Sequence, residues 1–120
     1  MTVEHLPQPT DAEARQLFRE GQLRELVERL GNPKSLPTLK PHQIVLLRYA
    51  EALSDRPFSG AGFLDWLERQ GPLSPGVKAE AEAAIGLGFW HEGNLGHAEA
   101  RFARSIKLAE EAGEPERAAW

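Results

Sequence analysis

The chain has 120 residues, no cysteine and a formal net charge of −4, with 41% hydrophobic and 27% charged residues. That composition fits one globular domain with a modest core, and it excludes disulfides, thiolate metal sites and a cysteine nucleophile. The acidic balance gives no electrostatic reason to expect nucleic-acid binding. The opening MTVEHLPQPT is polar and proline-broken, unlike a secretory signal, and no apolar run approaches a membrane span, so a soluble cytoplasmic protein is expected.

Thr10-Asp11-Ala12-Glu13 has the form of a capping box, with Thr10 as N-cap, and predicts a short helix to about Glu20 that Gly21 stops. Leu23, Leu26, Val27 and Leu30 recur at helical spacing and predict a second helix closed by Gly31-Asn32-Pro33. Residues 32–40, with two prolines, read as a loop. Pro41 suits the first position of a third helix, PHQIVLLRYAEALS, which is apolar nearly all round and therefore expected between neighbours. A fourth helix starts near Ser59 and carries Phe63, Leu64, Trp66 and Leu67 to the Gly71-Pro72 stop. Ser74-Pro75 opens a fifth helix through Trp90 or His91, and a sixth runs from about Leu95 to Ala112. Glu114-Pro115 begins a seventh that the chain leaves after one turn, at Trp120. No strand-like alternation with hairpin turns occurs, so the expected class is all-α, in consecutive antiparallel helix pairs over 10–31, 41–71 and 75–113 of a single domain.

One phrase is written twice. LFREGQL at Leu17–Leu23 returns as FWHEGNL at Phe89–Leu95, placing Gly21 and Gly93 between helices 72 residues apart, with Pro57 at the midpoint. Three hairpins at a period near 36 lie in the range of helical solenoids, whose units bury their apolar faces only by stacking.

From Ala79 to Trp120 the sequence resembles the tetratricopeptide repeat. Gly86, Phe89 and Gly93 stand where that motif places a small residue, an aromatic and a turn glycine, and Ala98, Phe102 and Ser105 match its second helix. Ile85, Leu95, Ile106 and Leu108 also fit. The types have a physical reason: Gly86 and Ala98 allow close helix approach, and Phe89 and Phe102 fill the space beside it. Glu82 stands where the motif usually has Trp, and Trp120 lies 27 residues after Gly93, where a next repeat would place one. The AEEAGEPERAAW segment is similar to the long linkers of repeats in bacterial transcriptional regulators. Upstream, Leu17, Gly21, Leu23, Leu26 and Leu30 correspond in the first hairpin, and Leu53, Gly62 and Trp66 in the second.

The resemblance implies a non-catalytic module that binds a protein or peptide segment along the first helices of successive hairpins, possible as part of a larger regulator. It implies for the groove Leu87, Trp90 and His91 with Ala83. Moving 36 and 72 residues upstream adds Leu47, Glu51 and Asp55, then Arg15, Phe18 and Arg19, with Arg48 at the border. Arg15 and Arg19, one turn apart, suit a carboxylate or phosphate, and Trp90 and Phe18 suit aromatic anchoring. Alternatives are a ligand- or peptide-sensing regulatory domain and an oligomerisation module. Trp120 and the open end of the sixth helix predict self-association, giving a homodimer through the C-terminal end.

No catalytic site, cofactor or metal is expected. His91 and His97 lack the spacing of a helical metal site. Gly86-Leu87-Gly88 lies inside a helix with no preceding strand, which assigns it to helix packing and not to a dinucleotide. Glu80 and Glu82 in EAEAA read as ordinary helix composition.

Overall fold

The computed structural model describes residues 9–31, 38–54, 56 and 58–113. Six helices make the fold: α1 (Asp11–Arg19), α2 (Leu23–Leu30), α3 (Pro41–Leu53), α4 (Gly60–Glu68), α5 (Pro75–His91) and α6 (Leu95–Glu111). The fold is all-α, with no strand among the described residues. None of the described helices is long and apolar enough to cross a membrane. The expected seventh helix, Trp120 included, lies outside the described residues, as do Asp55 and Pro57.

The helices start where side chains satisfy the orphan backbone donors. The Thr10 hydroxyl accepts the Glu13 N–H and the Glu13 carboxylate accepts the Thr10 N–H, both at 3.1 Å, which completes the capping box. This also lowers the Glu13 carboxyl pKa, chiefly through its bond from the Thr10 backbone. Ser59 caps α4 on the Gly62 N–H at 3.0 Å, and Ser74 caps α5 on the Val77 N–H at 3.3 Å, each as its position in the sequence implies. Gln43 caps the start of α3 by accepting the Lys40 N–H at 2.8 Å, with Pro41 in the first turn where no N–H is needed.

The repeated phrase builds one turn twice. At the end of α1, Gly21 has φ +74°; its N–H donates to Phe18 O at 3.1 Å, and the Gln22 N–H donates to Leu17 O at 2.9 Å. At the end of α5, Gly93 has φ +79°; its N–H donates to Trp90 O and the Asn94 N–H to Phe89 O, both at 2.9 Å. These are the two bonds of a Schellman cap, whose left-handed residue is glycine because a Cβ disfavours that conformation. The end of α3 has the same outer bond, Arg56 N–H to Glu51 O at 2.9 Å. Its acceptor lies 34 residues after Leu17 and 38 before Phe89, so the middle bend is not at the even 36-residue midpoint where Pro57 stands.

Helix α5 is the centre of the molecule, buried without a break from Ala79 to Gly86 and again at Gly88 and Phe89. Its glycines face two different helices. A Cβ on Gly86 would lie 2.6 Å from the Phe102 ring of α6, and one on Gly88 would lie 3.0 Å from Gly60 Cα of α4. Both glycines thus admit close helix contact, as the sequence implies. Along α6 the contacts run from Phe89–His97, ring centroids 5.1 Å apart, through the Glu82–Arg101 pair to Ser105, whose hydroxyl donates to Ala79 O at 2.6 Å.

Two apolar clusters meet at α3. Leu26, Val27, Leu30, Leu46, Leu47 and Ala50 join α2 to one side of it, while Val45 and Tyr49 on the other side pack with Ala81, Ile85 and Phe89 of α5. The expectation that α3 sits between neighbours therefore holds. Helix α1 joins both clusters through Ala14, Leu17 and Phe18. The α5 end is tied down twice more: His91 Nε2 donates to Ala52 O at 3.2 Å, and the Gly60 N–H donates to the Glu92 carboxylate at 2.9 Å.

Candidate functional site

The residues expected to line a groove have different fates. Arg15 does not stand open beside Arg19. Its guanidinium forms a two-pronged pair with Glu80 of α5, at 2.7 and 2.6 Å, across 65 residues of sequence. The expectation that Arg15 and Arg19 jointly hold a ligand anion is corrected by that pair, because Arg15 already grips a carboxylate of the same chain. Arg19 is exposed and donates to Gln16 Oε1 at 3.4 Å. Phe18 is half-buried against Tyr49, ring centroids 5.2 Å apart, and so belongs to packing.

In the second expected hairpin, Leu47 is 2% exposed and sits in the α2–α3 cluster, a core residue and not a free contact. Arg48 and Glu51 are half-buried and paired to each other at 2.7 Å. Asp55 lies outside the described residues. The displacement has a structural reason: stepping an even 36 residues lands two positions off the bond that ends α3, and two positions on a helix turn a side chain about 200°. The register of that bond puts Val45, Tyr49, Ala52 and Leu53 opposite Ala83, Leu87, Trp90 and His91. Three of these are core, and only Leu53 is exposed, at 44%.

In the third expected hairpin, Leu87 is half-buried and Ala83 is buried, but Trp90 is 53% exposed and carries His91 beside it, ring centroids 5.5 Å apart. On α6, Leu95 and Ile106 are also exposed. No three His, Asp or Glu side chains cluster as metal ligands would among the described residues.

The sequence reading passed over Glu80 and Glu82. Both are buried, at 2% and 3% exposure, and each is held by an arginine from another helix. They stand two positions apart, so they point to opposite sides of α5: Glu80 toward α1, Glu82 toward Arg101 of α6 at 3.0 Å. Burial raises the Glu82 carboxyl above its ordinary value, Arg101 and Arg104 oppose that shift, and Glu68 adds to it. The folded state then holds the proton more tightly than the unfolded chain, so this carboxyl favours folding at low pH. Its contribution is lost as pH rises through the raised value. Glu82→Gln should therefore flatten the relative loss of stability as pH rises above the ordinary carboxylate value of 4.5. Urea unfolding of both proteins across that rise in pH measures the difference, and identical slopes would contradict the assignment.

Surface clefts among the described residues include two beside α4. One, of about 370 Å³, opens between α3 and α4 and is lined by Ile44, Leu47, Phe58, Phe63 and Trp66, with Arg48 at its edge. Phe63 stacks on Trp66 at 5.2 Å and meets Phe58 edge-on at 5.8 Å, so three aromatic rings form one wall. Arg48 of the expected groove is here, beside the buried Leu47. The other, of about 440 Å³, lies among α4, the 70–73 turn, α5 and α6 and is more polar. Comparisons with protein-family models, curated proteins and solved structures each returned no match.

Proposed function

We propose that the chain is a non-catalytic protein-interaction module built as a short row of tetratricopeptide-like helix pairs. The matching glycine caps after α1 and α5 support the repeat, since two independent stretches meet the same geometric need with the same residues. The contact order along α5 and α6, Phe89–His97 to Ala79–Ser105, supports reading that pair as an antiparallel hairpin.

The observation that carries the binding role is the aromatic cleft between α3 and α4. Paired aromatic rings beside an arginine are the side chains that anchor interfaces most strongly, and a partner segment laid there gains apolar burial without refolding the module. Selection of peptides from a random display library tests this. Peptides that bind the wild type should lose at least about tenfold in affinity on folded Arg48→Glu or Gly62→Arg variants, the second of which places bulk over the cleft from an exposed position. An enriched set indifferent to both changes, or no enrichment at all, would remove the assignment.

A further inference from the structure

The polar cleft has its own chemistry. Leu64, Leu67, Leu73 and Leu108 supply apolar wall, and Lys78, Arg101 and Arg104 bring three cations from α5 and α6 to the same space. Against them stand Glu82, buried at the base, and Glu68 on α4. Glu82 engages one Nη of Arg101 at 3.0 Å, while Arg104 stays 4.0 Å away with its side chain 57% exposed, beyond hydrogen-bond range. Most of the guanidinium donors around the cleft are therefore not used by Glu82, and the lining carries a net charge of +1.

We infer that this cleft is a second docking site, taking a partner-protein segment in which acidic and leucine-like side chains alternate. The leucine wall receives the apolar side chains, and the cations meet the carboxylates. Glu82 and Glu68 argue against a polyanion or a free phosphate, because a dense negative charge would sit against two carboxylates. A carboxylate on a flexible chain can meet the outward donors of Arg104 and Lys78 and keep clear of Glu82. The inference rests on the chain being a protein-binding module, but not on the α3–α4 cleft.

The test is an amide NMR titration of the wild-type protein with a synthetic peptide of alternating leucine and glutamate, and with its glutamine counterpart. The glutamate peptide should shift the amides of Gly71, Lys78 and Arg104, and bind at least about tenfold more tightly than the glutamine peptide. Arg104→Gln and Lys78→Gln change exposed side chains and should each weaken it several-fold, and added salt should do the same. Equal affinity for both peptides, equal shifts from inorganic phosphate, or no shift would each overturn the inference. Shifts confined to Phe58 and Trp66 would overturn it while sparing the aromatic cleft. A filled polar cleft with no peptide seated between α3 and α4 would uphold it and discard the other.

Discussion

Replacing Arg15 with alanine is expected to lower the free energy of unfolding by about 2–4 kcal/mol, although Arg15 lies in a short helix near the start of the chain. The reason is the carboxylate it leaves behind. The Glu80 side chain is 3% exposed, and it is held by two charge-assisted bonds from a guanidinium that is itself 36% exposed. Loss of Arg15 removes both of these bonds from a carboxylate buried within α5. The expected cost lies toward the lower part of the range for a fully buried pair, because water already reaches the arginine. The double change Arg15→Met with Glu80→Met should recover most of the loss, since it removes both charges and keeps apolar volume. Urea unfolding of the three proteins measures this. A ligand-gripping arginine on an open face behaves differently, and its removal leaves stability within about 0.5 kcal/mol. That outcome would return Arg15 to the groove.

Gly60→Ala is expected to destabilise by about 2–3 kcal/mol, and Gly86→Ala by about 1 kcal/mol or less, an order opposite to the raw distances. The added Cβ on Gly86 comes within 2.6 Å of an atom, but that atom belongs to the half-buried Phe102 ring, which can turn away. On Gly60 the nearest atoms are Phe89 N at 2.9 Å, Cγ of the buried Phe89 ring at 3.0 Å and Ile85 O at 3.1 Å, the first and last of them backbone of a buried helix. Relief there requires α4 to move off α5, which also breaks the Gly60 N–H bond to Glu92. Alanine has the better helix propensity at both sites, so propensity alone predicts a gain. Thermal unfolding of the two variants decides between propensity and contact. A more stable Gly60→Ala protein would mean that the two helices are not this close.

The local signals were legible in the sequence because they belong to the backbone. Caps at Thr10, Ser59 and Ser74, prolines at Pro41 and Pro75, and glycines at Gly21, Gly93 and Gly113 satisfy or end helices from within a few residues. Even the role of Gly86-Leu87-Gly88 followed from its place within a helix. What escaped was long-range. Glu80 and Glu82 look like helix filler until α1 and α6 are seen to bring Arg15 and Arg101 to them. The signal was present, since over residues 79–89 the two carboxylates are set among alanine, glycine and large apolar residues alone, and so require partners. Leu47 was misplaced by assuming an even period across an uneven bend. The α3–α4 cleft depends on how far two helices splay, which no residue pattern in either one encodes.

The central proposal is that α1, α3 and α5 lie side by side in a row, with the two copied glycine bends at corresponding corners. Nuclear Overhauser contacts in the uniformly labelled protein test it most directly. The account predicts contacts from Phe18 to Tyr49, from Asp11 to His42 and from His91 to Ala52, together with left-handed couplings at both Gly21 and Gly93. Contacts of α1 with α6 in place of these would describe a closed bundle and contradict the row.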